Sequence, residues 1–301
     1  MIETFDAVLP HGITLSCRAS GKKESPLLVF LHGFPEAAFV WDELLEHFGD
    51  RYRCVAPNLR GFGPSSAPAE VSAYRVKHLM ADLEALIVHL GHGAPAALIA
   101  HDWGGAVAWS FAALRPELIE RLVIINSPHP ATFLRELQHN PEQQAASAYM
   151  NFLCRPDAER LLAEDDYARM WPMFGRMGAV DATQVVGGGW LTDEVRDRYR
   201  AIWNAGLTGG CNYYRASPLR PPTADDASVM KIEFASEYVT VRVPTLVIWG
   251  ERDIALPVSL VEGLEAFVPD LRLVRVPGAT HWIVHEQPRL IAQEIERHLT
   301  T

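Results

Sequence analysis

The chain has 301 residues, 49% hydrophobic and 21% charged, with a formal net charge of −10 and a pI near 5.6. That composition is globular and long enough for one large domain with an insertion, or for two domains. The acidic balance argues against nucleic acid and anionic membranes as partners, since both reward basic patches, and no run of about 18 apolar residues offers a membrane span.

The first residues, Met1-Ile2-Glu3-Thr4-Phe5-Asp6, carry no basic segment followed by an apolar stretch, which predicts a cytoplasmic protein. Four cysteines, Cys17, Cys54, Cys154 and Cys211, are scattered without C-x-x-C spacing and read as reduced, mostly buried thiols. In chain order, "SPLLVFLHGFPE" (25–36) holds an apolar run that ends in His-Gly, and "YRCVAPNLRGFGPS" (52–65) a shorter one followed by a Gly/Pro loop. Tyr74 to Leu90 then carries Val76, Leu79, Met80, Leu83, Leu86, Ile87 and Leu90 at helical spacing. "PAALIAHDWGG" (95–105), "IERLVIINSPHP" (119–130), "VPTLVIWGERD" (243–253) and "LRLVRVPGATHW" (271–282) repeat the pattern of a short apolar run cut off by turn residues. Strands buried on both faces read this way, and parallel sheets are built from them.

Two further helices are expected, over Leu260–Phe267 and over the tail 287–299, whose proline sits in the first turn. Alternating strands and helices predict an α/β fold, a mostly parallel doubly wound sheet with polar loop residues at the C-terminal strand ends. The alternation stops between about Pro128 and Val241, a stretch rich in Tyr and Trp with helical periodicity. It is expected to be a mainly helical cap (128–241), inserted before the last two core strands. "EDDYARMWPMF" (164–174) and "TDEVRDRYRAIW" (192–203) are its expected helices, and "RPPTADDAS" (220–228) its exit loop. The core is then 1–127 with 242–301.

The turn "AHDWGG" (100–105) puts a carboxylate, Asp102, between a buried strand and a helix, surrounded by Ala100, Gly104 and Gly105. Small neighbours are what a strained strand-to-helix turn requires, and such a turn lifts its central side chain into the site. Read alone, Asp102 could equally cap the helix. Asp253 ends the strand in "LVIWGERD", however, and His281 follows the strand in "VPGATHW", giving the chain order nucleophile, acid, base at successive strand ends. His101, His129 and His285 compete with His281, but none follows a buried strand through the same Gly-containing turn.

These motifs taken together, "HGFPE", "LRGFGPS", "HDWGG", "WGERD" and "GATHW", resemble the α/β-hydrolase superfamily over nearly the whole chain, and within it the epoxide hydrolases. "HDWGG" combined with "HGFPE" is the specific part of the match. The resemblance implies Asp102 as nucleophile, His281 as base, Asp253 as its orienting acid, and the backbone N–H groups of Phe34 and Trp103 as an oxyanion hole. It implies two tyrosines that hold the epoxide oxygen: Tyr214 in "CNYYRA", with Tyr213 as its competitor, and Tyr149 in "SAYMNFLCRP". His32, Trp103 and Trp282 are expected to line the substrate pocket. The implied partner is a small apolar electrophile, with no metal or organic cofactor; a homodimer is left open.

Chemistry explains why the elbow carries aspartate. A carboxylate attacking a carbonyl would make an anhydride, whereas attack on a saturated electrophilic carbon makes an ordinary alkyl ester. Epoxide opening and halide displacement both fit. Dehalogenases are therefore the nearest alternative, and the Trp103 indole N–H could serve a departing halide. Against them stand Phe34, where many haloalkane dehalogenases have asparagine, and Trp103, where fluoroacetate-type enzymes have arginine. Asn126 occupies the strand end where the latter carry their acid, and Met150 and Asn151 stand where their His-Trp pair would be. A catalytically silent ligand-binding hydrolase fold is a third reading, which the complete Asp102, Asp253, His281 set disfavours.

Overall fold

The computed structural model describes residues 1–91, 96–174 and 189–300. Its centre is an eight-stranded sheet of order β1-β2-β4-β3-β5-β6-β7-β8. The strands are β1 (Glu3–Val8), β2 (Thr14–Ser20), β3 (Leu27–Leu31), β4 (Arg53–Pro57), β5 (Ala96–His101), β6 (Ile119–Ile125), β7 (Thr245–Gly250) and β8 (Leu271–Val276). From β4 to β8 every pairing is parallel, while β1 and β2 add an antiparallel edge. β3, β4 and β7 are buried along their whole length. This is why they read as continuous apolar runs with no alternation. β1 and β2 carry alternating burial and no such run, so the sequence reading passed over them. Pro95, at the start of the expected third apolar run, lies outside the described residues.

Helices α1 (Asp42–Phe48), α2 (Val76–His89) and α3 (Asp102–Leu114) follow β3, β4 and β5, and α3 runs directly out of its strand. α2 packs on α3, and α1 packs on the C-terminal helix (Pro288–Thr300). Between β6 and β7 the chain forms α4 (Pro130–His139), α5 (Pro141–Ala146), α6 (Ala148–Leu153), α7 (Ala158–Tyr167), α8 (Trp171–Phe174), α9 (Asp193–Asn204) and α10 (Thr208–Ala216). α11 (Ile283–Glu286) and α12 (Pro288–Thr300) close the chain. Residues 175–188 of the expected insertion lie outside the described residues.

Local chemistry starts several of these helices. The Asn140 side chain accepts the Glu142 N–H ahead of Pro141, and the Thr192 hydroxyl accepts the Val195 N–H at the start of α9. Both are N-caps that satisfy an otherwise orphaned donor.

Two expected helices are different in the structure. The 164–174 stretch is broken, because Asp165, Asp166 and Tyr167 take φ of 51, 54 and 62° and end one helix before α8 begins. Left-handed residues cannot propagate a right-handed helix. The 260–267 stretch forms two short 3-10 turns, Val258–Val261 and Leu264–Ala266, with Gly263 at φ 74° between them. Its apolar spacing reflects packing of successive turns on the core.

The C-terminal ends of β3, β5, β6, β7 and β8 lie side by side in the sheet. The residues that follow them are consequently neighbours, although the chain separates them by well over half its length, as Glu36 is from His285. Close packing beneath these ends leaves no room for side chains at Gly104: a Cβ there would stand 2.5 Å from the Leu31 carbonyl oxygen and 2.6 Å from that of His32. Gly104→Ala therefore has to push α3 away from β3. It is expected to cost about 1–3 kcal/mol, read as a lower midpoint in urea unfolding; an unchanged midpoint would mean that α3 is free to shift.

Candidate active site

Asp102 is the first residue of α3 and has φ 49°. The preceding residue, His101, is the extended N-cap position, so Asp102 does not cap the helix and instead occupies the strained corner itself. A left-handed conformation is unfavourable for a residue with a Cβ and persists only where the surroundings hold it. Three contacts do so here. The Phe34 N–H donates to Asp102 Oδ1 at 2.7 Å, and the Ser127 hydroxyl donates to the Asp102 carbonyl at 2.6 Å. Gly33 makes room, since a Cβ there would sit 2.1 Å from Asp102 Oδ1.

The second carboxylate oxygen, Oδ2, faces His281 Nε2 at 3.8 Å. This exceeds hydrogen-bond range, so Oδ2 is not tied up by the imidazole. On the other side of the ring, His281 Nδ1 meets Asp253 Oδ2 at 2.6 Å. Asp253 is fully buried. It is satisfied by the N–H groups of Ala255 and Leu256, both 2.9 Å from Oδ1, and by the Asn126 amide, 2.8 Å from Oδ2. With three other donors holding it in place, the carboxylate is fixed in orientation and presents Oδ2 to the ring.

Burial on its own would lower the His281 pKa. The charge of Asp253, its hydrogen bond, and then the charges of Asp102 and Glu36 outweigh that and raise it to about 9.

The cavity beside Asp102 has a volume of about 940 Å³, and Trp103, Tyr149 and Tyr214 line it. Tyr149 comes from α6 and Tyr214 from α10; their ring centres are 6.0 Å apart. Tyr214 also packs edge-on against Trp103 at 5.0 Å and Phe34 at 5.5 Å. The three rings of Trp103, Tyr149 and Tyr214 meet edge to face, Tyr214 being the one in contact with both of the others. Burial raises both phenols, with nearby Asp102 adding to the effect in each, so both remain protonated donors. Tyr213 is adjacent in sequence but on another face of α10, and its hydroxyl donates to the Arg60 carbonyl at 3.0 Å. It is a structural link to the 59–65 loop.

The competing histidines are all committed elsewhere. His129 is bonded to the Val239 carbonyl and the Ala131 N–H, His285 to Glu36, and His101 to Glu36 and the His281 carbonyl. His32 and Trp282, expected in the pocket, lie outside its lining. His32 turns its ring inward, to the Gly33 carbonyl on one side and the Leu59 N–H on the other, and so joins the 32–36 and 59–65 loops. Trp282 is buried against Phe174 at 4.5 Å and beside the His281 ring.

Glu36, Asn126 and Ser127 belong to this arrangement and were not singled out from sequence as functional. Glu36 is completely buried and accepts from His101, His285 and the Tyr199 hydroxyl of α9. Burial alone would raise its carboxyl, yet these histidine contacts hold it below the ordinary glutamate range. The available signal was a charged residue inside an otherwise apolar motif, "HGFPEAAFVW". Asn126 has φ 37° and bridges the ends of β6 and β7, accepting the Gly250 N–H while donating to Asp253.

Sheet order, strand-end placement and a carboxylate–imidazole–carboxylate array define a hydrolase of the alpha/beta hydrolase fold, and the family model of that description matches residues 26–288. The chain belongs to this family and, within it, to the epoxide hydrolases. It is 34% identical to Epoxide hydrolase 3 of Xenopus tropicalis over 96% of this chain and 75% of that protein. It is also 34% identical to the AB hydrolase superfamily protein YfhM of Bacillus subtilis (strain 168), over 96% and 95% respectively. Among solved structures, an inhibitor complex of Bacillus megaterium epoxide hydrolase superposes with a TM-score of 0.86 at 26% identity, covering 99% of this chain and 100% of that one. An epoxide hydrolase from metagenomes of hot environments gives 0.85 at 35% identity, covering 99% of both. The chain is therefore a hydrolase enzyme. Among the described residues no helix is long and apolar enough to cross a membrane.

One of the charges that raises the His281 pKa sits on Asp102. Asp102→Asn removes a negative charge that favours the imidazolium, so the His281 ring should titrate at a lower pH than in the wild type. NMR titration of the imidazole carbons tests this; an equal or higher value in the variant would contradict it.

Proposed function

We propose that the enzyme hydrolyses epoxides to vicinal diols through a covalent ester on Asp102. The observation that carries this reading is the division of labour on one carboxylate. Oδ1 is pinned by the Phe34 N–H at 2.7 Å while Oδ2 stands 3.8 Å from His281 Nε2, beyond hydrogen-bond range, and the residue lines the same cavity as Tyr149 and Tyr214.

In the first step Oδ2 attacks an epoxide carbon and the C–O bond of the ring breaks. The departing oxygen takes hydrogen bonds, then a proton, from the Tyr149 and Tyr214 hydroxyls, groups that burial keeps protonated. Oδ1 has now become the ester carbonyl oxygen and still faces the Phe34 N–H. The negative charge of the later tetrahedral intermediate develops on this atom, so the donor is in place before it is needed, with the Trp103 N–H as its second member.

Esterification also removes the Asp102 charge, which is one reason the His281 pKa is high. Ring opening thus makes the imidazole a weaker holder of its proton just as a base is required. His281, aligned by Asp253 at 2.6 Å, then takes a proton from water as that water attacks the ester carbonyl. The bond between the ester carbonyl carbon and the substrate oxygen then breaks, that oxygen takes the proton held by His281, and the proton left on the Asp102 carboxyl group returns to the tyrosine, so the diol leaves with carboxylate, imidazole and phenol all restored. The helices that supply the tyrosines, α6 and α10, act in this reading as a cap over the sheet. Halide displacement is the weaker reading, because the cavity beside Asp102 is lined by two phenols that burial keeps protonated, donors suited to an oxygen that must be protonated as it departs.

Asp102→Ala, with an unchanged circular dichroism spectrum, is expected to abolish turnover of aryl and alkyl epoxides; retained turnover would remove Asp102 from the mechanism. His281→Gln should form the ester and fail to release it, leaving enzyme plus substrate mass in intact-protein mass spectrometry, and free enzyme alone would count against the two-step scheme. Tyr214→Phe should slow ring opening about 10²-fold or more and ester hydrolysis much less. Stopped-flow and single-turnover traces separate the two phases, and equal effects on both would make Tyr214 a packing residue.

A further inference from the structure

The cavity that holds Asp102 does not end at the tyrosines. On α3 its lining continues through Ala106, Val107, Ser110 and Leu114, positions three or four apart that share one face of the helix. On α2 the lining runs from Val76 through Met80 to Glu84, with Lys77, Leu79 and Ala81 beside them. The opposite side is formed by Phe234, Tyr238 and Val239 of the segment that leads back into β7. The space is thus a trough with α3 as its floor, and it runs from the nucleophile to the far end of that helix. Twelve residues separate Asp102 from Leu114, which at helical rise is about 18 Å.

Three features of the trough point to its occupant. It is continuous with the nucleophile, so whatever fills it is attached to the reacting group. Its floor residues Ala106 and Ser110 are small and half-buried, and the Ser110 hydroxyl turns back to its own helix, donating to the Ala106 carbonyl at 3.2 Å, which leaves little polarity on the floor. Its edges expose apolar side chains that a globular surface normally covers: Val76 at 45%, Tyr238 at 52% and Phe234 at 36%. Near the far end the Glu84 and Arg115 charges are paired with each other at 3.2 Å, while Arg75 and Lys77 stand at the α2 edge of the lining and not on the α3 floor.

We propose that the substrate is an epoxide bearing one extended hydrocarbon arm, that this arm lies along α3 in the trough, and that Ala106 and Ser110 set the length of arm accepted. The inference rests on the assignment of Asp102 as the epoxide nucleophile. A span of about 18 Å holds an alkyl chain of roughly a dozen carbons. Each methylene fully removed from water should raise kcat/KM by up to about fourfold, and the gain should stop once the chain outgrows the floor.

The test is kcat/KM for a homologous series of 1,2-epoxyalkanes, from four carbons to beyond a dozen, on the wild type and on Ser110→Trp and Ser110→Leu. The wild type should favour longer chains up to a break point. Ser110→Trp should move that break to shorter chains and lower the long-to-short ratio at least tenfold, with Ser110→Leu intermediate; the ratio is internal to each variant and does not depend on its folded yield. Turnover of short epoxides with a flat chain-length profile in the wild type would overturn the arm assignment alone. So would a ratio that neither variant changes. Absence of turnover and of an Asp102 adduct with every member would instead overturn the epoxide reading, and the arm with it.

Discussion

A single hydrogen bond organises the site: the Phe34 N–H to Asp102 Oδ1 at 2.7 Å. It holds a non-glycine residue in the left-handed region at the junction of β5 and α3, and it distinguishes the two oxygens of an otherwise symmetric carboxylate. The rest of the top of the sheet is arranged to permit it. Gly33 gives up its side chain so that the two segments can touch, Gly104 lets α3 start against β3, and Ser127 secures the Asp102 carbonyl from the end of β6. Strain of this kind is kept only where neighbouring structure over-determines the geometry. Here three adjacent strands contribute to that.

The charges around His281 form a second constraint. Asp253, Asp102 and Glu36 surround one buried imidazole, and each carboxylate is managed differently. Asp253 is saturated by backbone and amide donors, Glu36 by two histidines and a tyrosine, and Asp102 by a single N–H on one oxygen. Only the least satisfied of the three opens to the cavity. Desolvated carboxylates need partners to remain charged, so the distribution of donors distinguishes Asp102 from the other two in the way the proposed mechanism requires. The Glu36 cluster also ties α9 to the loop after β3 through Tyr199, and Trp190 stacks on His285 at 3.9 Å. The helical segment and the sheet therefore share a polar contact through Glu36, whose charge also acts on His281.

Much of the core was legible in the chain because double-sided burial leaves a simple trace. β3, β5, β6 and β7 appear as apolar runs ended by turn residues, and the end of each run marks a place where polar side chains collect. β1 and β2 left no comparable trace, since an edge pair with one solvated face alternates. The 260–267 region misled for the opposite reason: apolar spacing can come from two short turns packed on a core as well as from one helix. The broken 164–174 stretch shows the same limit, because three consecutive left-handed residues are a matter of context that helical periodicity does not encode.

What the sequence determined by itself was the placement of three side chains: a carboxylate in an elbow of small residues, followed along the chain by an acid and a histidine at later strand ends, which the fold brings together. Those signals are local, since they depend on which residues can occupy a tight turn and which terminate a buried strand. Tertiary structure decided everything that depends on direction. It put the Tyr214 ring beside Trp103 and turned that of Tyr213 to Arg60, and it sent His32 and Trp282 behind the site rather than into it. It also drew Glu36, Asn126 and Ser127 into contact with the catalytic groups and opened a trough along α3. Adjacent residues on a helix point about 100° apart, and side chains meet across strands that the chain visits at distant times, so no one-dimensional pattern could have settled which of them face the reacting carbon.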